Sequence, residues 1–414
     1  MSAATDMDIE LIAPVPRISV QAFCETQDVA QVMQAAFADR RMERAHAKQS
    51  MGGATAAVEA FRHAPTPNVI VIESTAERAD LIQALDMLAE YCDSGTKVIV
   101  AGRVNDIMLY RDLMARGVSD YLVWPFTAIE FVRVVSRIYY SATSEPLGKI
   151  VAVTGVKGGV GASVVAHNLA FTIARDLHVQ TVVVDMDLAF GTAGLDFNQD
   201  PPQGIAEAVF APERLDANLL DRLMSRCSDR LSLLAAPATL DRLYDFAETD
   251  FDNLIDLLRS STPCIVLDVP HVWTAWARRA LVGADEIVLV AAPDLANLRN
   301  AKSIVDSLRA ARPHDAAPRL VMNGVGMPKR PEIGLADFAK AVEMSADVVI
   351  PFEPKLFGTA ANNGQMIVEV EASHKVTELF ADLARAVSGK SEIRRPSRNI
   401  LKPLMTKLAR KKAS

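Results

Sequence analysis

Cysteine is scarce in this chain of 414 residues, and the four cysteines show no metal-ligand spacing. Cys24, Cys92, Cys227 and Cys264 form no Cys-x-x-Cys pair and no pattern with histidine. This pattern offers no metal site, and it gives no support to an iron–sulfur cluster. The spacing predicts reduced, mostly buried thiols.

Long hydrophobic runs are also missing. No apolar run approaches the roughly 18 to 20 residues that are needed to cross a bilayer. The N-terminus carries Asp6, Asp8 and Glu10 and lacks the basic and apolar regions of a signal peptide. We therefore expect a cytoplasmic protein. Since 50% of the residues are hydrophobic, there is enough apolar material for packed cores, and the length predicts two domains with tails.

Excess positive charge is confined to one end of the chain. The overall formal charge is −7, yet residues 390–414 contain nine Lys or Arg and a single acid, Glu392. Within this tail, five apolar residues follow helical spacing: Ile400, Leu401, Leu404, Met405 and Leu408. Such a segment can lie on an anionic membrane surface as a short amphipathic helix, or it can be a solvated tail. Contact with an acidic partner or nucleic acid is a third alternative.

Strands and helices alternate after a loose leader of residues 1–16. A polar stretch with Met and Gly separates the first two predicted helices. Alternation of this kind predicts parallel strands with helices on both faces of the sheet. Strands are predicted at 17–24, 68–73, 97–101 and 120–123, and helices at 27–39, 54–62, 77–91, 106–115 and 128–140.

The ending GVSDYLVWPF, at residues 117–126, gives the segment 17–140 its resemblance to a response-regulator receiver domain. By that resemblance the phosphate acceptor position holds Glu73, the hydroxyl position holds Ala101, and the lysine position holds Trp124. The acidic pair that would hold Mg²⁺ is also missing. The resemblance therefore implies a degenerate receiver-like module that serves in dimerisation or partner docking. Labelling by acetyl phosphate would instead reveal a response regulator.

A second alternation of strands and helices follows the linker-like sequence SATSEPLG at 141–148 and continues to residue 389. The predicted fold class is α/β, with a flavodoxin-like N-terminal domain followed by a doubly wound, mostly parallel P-loop NTPase domain at 149–389. Such a sheet binds ligands beyond the carboxyl ends of its strands. Strands are predicted at 150–154, 181–185, 231–235, 264–268, 286–292, 319–323 and 348–351, and helices at 164–177, 218–226, 251–260, 296–311 and 373–387.

A glycine-rich turn, VAVTGVKGGVGAS at 151–163, joins the first strand of the second domain to a helix. Glycines in such a turn allow positive φ and a row of N–H groups facing an anion, and the helix directs its positive end to the same place. An ordinary P-loop has a lysine where this chain has Ala162. The predicted nucleotide-binding residues of this turn are Gly158, Gly159, Val160, Gly161, Ala162, Ser163 and Val164.

The sequence KGGVGAS resembles the deviant Walker A loop of the MinD/ParA family, KGGxGK[ST]. The resemblance implies ATP and Mg²⁺ as cofactors and a homodimer as the working form. It implies that Lys157 reaches across the dimer interface to the nucleotide of the partner subunit. Ser163 would supply its hydroxyl to Mg²⁺, and Asn168 also fits the family's pattern.

Two further stretches place carboxylates at the ends of apolar strands. VVVDMD at 182–187 carries Asp185 and Asp187, a pair that suits Mg²⁺ and water positioning, although such pairs also cap strand ends. CIVLDVP at 264–270 carries Asp268. By the resemblance, Asp187 orients the attacking water and contacts Mg²⁺, and Asp268 is the Walker B aspartate that holds Mg²⁺ through water.

The adenine pocket is assigned by the same resemblance. Asn323 matches the position of an asparagine near the base, and Pro351 matches the start of a loop that lines the base pocket. Asn323 can equally be a turn residue, because Asn-Gly is a common turn pair.

A degenerate receiver followed by a linker and a KGGVGAS loop resembles the CpaE/TadZ group of Flp (tight-adherence) pilus assembly proteins. This implies a localisation and assembly factor that docks a pilus secretion ATPase or other pilus components, at the cell pole or peripherally at the inner membrane. Because Ala162 removes a cation from the β/γ-phosphates, we expect ATP binding with weak or absent hydrolysis. The alternative is a ParA-like partitioning ATPase acting on DNA. The acidic body, the missing lysine and the lack of a helix-turn-helix segment argue against it.

Overall fold

The computed structural model describes residues 12–93, 95–140, 147–240 and 242–389. Residues 141–146 of the expected linker, the basic tail at 390–414 and residues 1–11 of the leader lie outside this part, so the predictions for them stay predictions. The described residues form one sheet of five strands and one of eight. The predicted α/β class is confirmed. None of the helices in these ranges has the length and apolar character to span a bilayer.

The N-terminal unit, residues 12–140, is built on a parallel sheet with the strand order β2-β1-β3-β4-β5, which is the flavodoxin-like order. Helices α1 and α5 pack on one face, and α2, α3 and α4 pack on the other. The strands are β1 Ser19–Cys24, β2 His46–Met51, β3 Val69–Ser74, β4 Lys97–Gly102 and β5 Asp120–Val123, and the helices are α1 Gln27–Phe37, α2 Gly53–Phe61, α3 Arg78–Ala89, α4 Ile107–Ala115 and α5 Ala128–Tyr139.

Strand β2 occupies the polar stretch between the first two predicted helices. Its six residues pair in register with all six residues of β1, from Ser19 with His46 to Cys24 with Met51. The side chains of β2 are exposed or half-buried. Main-chain hydrogen bonds hold this edge strand, so it lacks the apolar alternation by which strands are recognised in a sequence.

The C-terminal unit, residues 147–389, contains the eight-stranded sheet in the order β13-β12-β11-β6-β10-β7-β9-β8. β8 pairs antiparallel with β9, and the other neighbouring strands pair in parallel. The strands are β6 Lys149–Gly155, β7 Thr181–Asp185, β8 Ser225–Arg226, β9 Leu231–Leu234, β10 Cys264–Val269, β11 Glu286–Ala291, β12 Arg319–Val325 and β13 Val348–Pro351.

Helices cover both faces of this sheet. Consecutive residues of the central strand β6 belong to opposite cores, with Ile150 and Ala152 in one and Val151 and Val153 in the other. A strand that is buried on both sides reads as a continuous apolar run, which is why the sequence predicted it. The helices are α6 Ala162–Asp176, α7 Ala193–Asp196, α8 Ile205–Phe210, α9 Ala217–Leu223, α10 Asp252–Ser261, α11 Ala275–Gly283, α12 Leu295–Ala311, α13 Leu335–Val342, α14 Pro354–Asn363, α15 Ile367–Val370 and α16 Lys375–Val387.

One predicted helix end is wrong. The sequence predicts a helix at 218–226, but α9 ends at Leu223, and Ser225–Arg226 form strand β8. Arg226 pairs with Ser232 of β9. This pairing across the sheet edge prevails over the local helical pattern, as tertiary contacts often do.

The two units contact each other through arginines of the N-terminal unit. Arg40 Nε donates to Asp315 Oδ2 at 2.9 Å, and Arg40 Nη1 donates to the carbonyl oxygen of Gly283 at 3.0 Å. Arg41 donates to Asp315 as well. The side chains of Arg40 and Asp315 are buried. Since Asp315 precedes β12, this contact lies at the amino-terminal edge of the eight-stranded sheet.

Candidate functional site

The glycine-rich loop leaves the carboxyl end of β6 and enters α6. Gly159 and Gly161 have φ values of 79° and 84°, in the left-handed region that glycine adopts at little cost. A Cβ at Gly158 or Gly159 would meet no described atom within 4 Å, so the space before the loop is open. Gly161 is the N-cap of α6 and has no side chain to accept the first N–H groups of the helix. These N–H groups are therefore free to bind an anion.

Three side chains from neighbouring elements fix the loop. Each bonds to a main-chain carbonyl oxygen, so none of these three contacts engages an N–H group of the loop. The contacts join Asn323 Nδ2 to Val160 O at 2.8 Å, Asn300 Nδ2 to Val156 O at 3.0 Å, and His271 Nδ1 to Gly155 O at 2.8 Å. Side chains of neighbouring elements thus hold the conformation of the loop.

A cavity of about 290 Å³ opens beside the loop, close to the size of small-molecule sites. The structure places both residues of the expected base pocket on its wall. Asn323 also bonds to its own turn, because Oδ1 accepts the N–H of Gly324 at 2.9 Å. Among the residues that line the cavity are Gly159, Val160, Gly161, Asn323, Arg330 and Pro351.

Two carboxylates lie side by side on adjacent strands near the loop. Asp268 of β10 pairs in register with Asp185 of β7, and both are buried. The Asp185 carboxylate accepts the N–H of Asp187 at 3.2 Å and that of Ala193 at 3.1 Å, so it orders the segment after β7. Burial raises the pKa of Asp185, and the nearby negative charge of Asp268 adds to the rise.

Asp187 lies two residues beyond β7 and is half-buried. Its Oδ1 accepts the N–H of Phe190 at 3.0 Å, and its main-chain oxygen accepts the N–H of Gly191 at 2.7 Å. The carboxylate therefore caps a turn at the carboxyl edge of the sheet. This is the edge at which the glycine loop also lies.

His167 is fully buried on α6, between two carboxylates. Its Nδ1 lies 2.7 Å from Asp196 Oδ2, and its Nε2 lies 3.3 Å from Asp268 Oδ2. Nε2 has no partner in hydrogen-bond geometry among the described residues, so its contact with Asp268 is an ion pair. Burial alone would lower the pKa of His167, but the two carboxylates raise it to about 10. A lone histidine on the buried face of α6 gave no recognisable signal.

The other predicted residues occupy the loop and α6 as expected from their positions. Lys157 is exposed. Burial would raise the pKa of Asp294, but hydrogen bonds from Asn297 lower it, and the charge of Lys157 contributes to the lowering. Ser163 is half-buried, as the second residue of α6. Asn168 is structural, because its Oδ1 accepts the N–H of Ile367 at 2.8 Å.

The acceptor position of the receiver-like unit is occupied by a structural carboxylate. Glu73 is buried, and its Oε2 accepts the N–H groups of Glu25 at 2.7 Å and Thr26 at 2.8 Å. Its Oε1 accepts the hydroxyl of Thr26 at 2.6 Å. Glu73 therefore anchors the start of α1 and has no free oxygen edge for phosphate.

No family model matches the chain. The septum site-determining protein MinD from Synechocystis sp. is 25% identical over 251 residues, 59% of this chain and 90% of the relative. The cell division ATPase MinD from Pyrococcus furiosus is 22% identical, with a TM-score of 0.52 over 59% of this chain and 100% of that structure. This likeness shows that the two proteins share a fold.

The pilus assembly protein CpaE from Caulobacter crescentus is 43% identical to this chain. The match covers 31% of this chain and 98% of the solved CpaE chain, with a TM-score of 0.30, and it includes the receiver-like N-terminal part. Identity at this level along nearly all of the solved chain establishes kinship by sequence. The chain belongs to the CpaE family of pilus assembly proteins, within the MinD/ParA superfamily.

Proposed function

We propose that this protein is a nucleotide-binding localisation and assembly factor for a Flp or type IV-like pilus secretion machine. The glycine loop carries the proposal. Its carbonyl groups bind Asn323, Asn300 and His271, and the space before the loop is open beside a cavity of about 290 Å³. An arrangement of this kind suits the phosphates of a nucleotide.

The residues present fit ATP with Mg²⁺. Main-chain N–H groups at 158–163 would hold the phosphates, and the cavity lined by Asn323 and Pro351 would hold the base. Ser163 and, through water, Asp268 and Asp187 would hold Mg²⁺, which neutralises phosphate charge when bound. Among the described residues no group of three or more His, Cys, Asp or Glu is arranged to bind a metal alone. This favours an ion that arrives with the nucleotide.

Hydrolysis is proposed to be weak or absent. Ala162 presents a methyl group where a P-loop ATPase has a lysine for the phosphates. The Asp187 carboxylate already caps the turn at Phe190 and would have to share its oxygens with a water. Since the protein accelerates phosphoryl transfer mainly through position and charge, both features reduce turnover more than binding.

The exposed apolar side chains support a homodimer joined at the loop face. Phe190, Trp273 and Leu295 are 75%, 51% and 72% exposed. They follow β7, β10 and β11, so they lie at the same carboxyl edge as the loop. Large apolar residues clustered on one face are typical of a surface that a partner covers. A second copy there would bring its Lys157 towards the nucleotide.

The receiver-like unit is proposed to dock the pilus secretion ATPase or another pilus component. Its Glu73 is engaged in holding α1, which favours docking over phosphotransfer. Action at the cell pole or at the inner membrane surface, with contact through the basic tail, belongs to the same proposal.

Titration calorimetry of the full chain with Mg-ATP and Mg-ADP tests the proposal, with phosphate release followed in parallel. The matched variant is Ala162→Lys, which restores the cation. We expect binding with negligible release by the native protein and faster release by the variant. If neither nucleotide binds the native chain, the loop is an interaction surface only, and the proposed nucleotide dependence is wrong.

A further inference from the structure

The loop between β12 and α13 is fixed in shape by its own hydrogen bonds. Gly326 and Lys329 have φ values of 83° and 63°, both in the left-handed region. The carboxylate of Glu332 accepts the N–H of Gly326 at 3.0 Å and that of Met327 at 3.2 Å. The N–H of Arg330 donates to the carbonyl oxygen of Met327 at 3.2 Å. The position of Arg330 is therefore set by a tight turn whose strained residue, Lys329, faces solvent.

Arg330 stands on the wall of the same cavity as Gly159, Val160 and Gly161. A hydrogen bond from Ile333 N–H to the carbonyl oxygen of Pro293, at 2.9 Å, ties this loop to the segment after β11. The fold thus places a guanidinium opposite the glycine loop. The sequence around it, GMPKRPE, matches no nucleotide motif, which is why the sequence analysis did not select it.

Two N–H groups of this guanidinium are buried without a hydrogen-bond partner among the described residues. They are those of Nε and Nη2, which lie on one edge of the group. Glu332 Oε1 forms an ion pair with Nη2 at 3.5 Å without hydrogen-bond geometry, and both Glu332 oxygens already accept main-chain N–H groups. Donors without full hydrogen bonds are costly, and the side chain as a whole is 29% exposed on the cavity wall. A planar guanidinium at this place suits the oxygens of a phosphate.

The electrostatics agree with this orientation. The positive charges of Arg330 and Lys157 both act on Asp294, the N-cap of α12, and help to lower its pKa. Both cations therefore act on one carboxylate, which follows β11 at the carboxyl edge of the sheet. Lys157 belongs to the glycine loop, so Arg330 adds a second positive charge near the proposed phosphate position.

We propose that Arg330 binds the phosphate groups of the nucleotide and supplies the positive charge that Ala162 cannot. This proposal rests on the proposed nucleotide binding by the glycine loop. It explains how a loop without the usual lysine keeps a cation at the phosphates. The cation comes from the turn after β12, at the opposite wall of the cavity.

The test compares four full-length proteins by titration calorimetry: the native chain, Arg330→Ala, Arg330→Lys and Lys329→Ala. The last variant removes one exposed positive charge from the same turn, so it controls for the general field of the loop. The ligands are Mg-ATP and adenosine. Arg330→Ala is expected to weaken Mg-ATP binding by about 10- to 100-fold, the effect of a lost charge-assisted hydrogen-bond pair. The Mg-ATP affinity of Arg330→Lys should lie between those of Arg330→Ala and the native chain. The affinity of Lys329→Ala should stay within about twofold of the native value.

Adenosine identifies the part of the nucleotide that Arg330 contacts. Its binding should be unchanged in Arg330→Ala, since it carries no phosphate. Equal losses for adenosine and Mg-ATP, in a variant with native circular dichroism and thermal midpoint, would overturn the proposal. Unchanged Mg-ATP binding by Arg330→Ala would overturn it too, while leaving the proposed function intact. A native chain that binds no nucleotide would refute both.

Discussion

Replacing Asp315 by alanine is expected to loosen the contact between the N-terminal and C-terminal units. Asp315 accepts hydrogen bonds from Arg40 at 2.9 and 3.2 Å, from Arg312 at 3.3 Å and from Arg41. Its carboxylate is buried among these three arginines. The variant therefore leaves positive charges from both units at a buried interface.

The loss of stability in Asp315→Ala depends on the hydrogen bonds and ion pairs that the arginines retain. Removing one partner of a buried ion pair costs about 3–5 kcal/mol. Arg40 keeps the carbonyl oxygen of Gly283 at 3.0 Å and the carboxylate of Asp285 at 3.9 Å, and Arg41 keeps Asp39 at 3.1 Å. We therefore expect the lower limit, about 3 kcal/mol. Since about 1.4 kcal/mol is tenfold in an equilibrium constant, the contact should open about 100-fold more often.

Urea unfolding followed by tryptophan fluorescence measures this change, because Trp276 lines the cavity between the units. The matched control is Glu343→Ala. Glu343 also forms ion pairs with two cations, Lys302 and Arg309, but its side chain is 62% exposed. The urea midpoint of Glu343→Ala should therefore equal that of the native chain. If Asp315→Ala has the same urea midpoint as the native chain, the inferred role of Asp315 and its three arginines is refuted.

Urea unfolding of the native chain and Asp315→Ala at several pH values tests the role of Asp315 independently. Burial would raise the pKa of Asp315, but the three arginines hold it well below its usual range in the folded protein. A lowered folded pKa contributes stability that is present above the unfolded value of about 3.9 and is lost as the pH falls below it. The difference in free energy of unfolding between the native chain and Asp315→Ala should be constant near neutral pH and should shrink below about pH 4.

Three further predictions concern the loop face and the receiver-like unit. Lys157→Ala should abolish dimerisation that depends on Mg-ATP, as seen by analytical ultracentrifugation, because Lys157 is exposed at the proposed interface; a dimer that persists would contradict this. His167→Gln should lower the thermal midpoint, because the half-buried carboxylate of Asp196 and the buried carboxylate of Asp268 lose their cation at a cost of about 3 kcal/mol; an unchanged midpoint would contradict the ion pairs. Glu73→Ala should destabilise the N-terminal unit by about 1–3 kcal/mol in urea, since it leaves half-buried donors at Thr26 unpaired, and acetyl phosphate should label neither protein.

Most strands could be predicted from the sequence because burial produces a run of apolar residues. The fully buried strand β7 begins and ends at the predicted residues 181–185. The edge strands β5 and β13 are partly buried and also match their predicted bounds, 120–123 and 348–351. The glycine loop was equally readable, since positive φ values at Gly159 and Gly161 demand glycine. Local sequence carries both signals.

The remaining features depend on residues that are distant in the chain. The ion pair of Arg40 with Asp315 spans 275 positions, and the contact of His167 with Asp268 joins α6 to a strand that follows much later. Arg330 belongs to the cavity only because Glu332 folds its turn. No local pattern marks such residues, because their partners are set by the tertiary fold.

The contact between the units and the glycine loop lie at opposite ends of the same strands. β6 has seven residues, so these ends are separated by about 23 Å. A dimer joined at its loop faces would carry the two receiver-like units at its far ends, directed away from each other. Such a molecule would be a divalent linker, and a partner that repeats around a ring could be held at two points, with the gain in avidity that two tethered contacts provide.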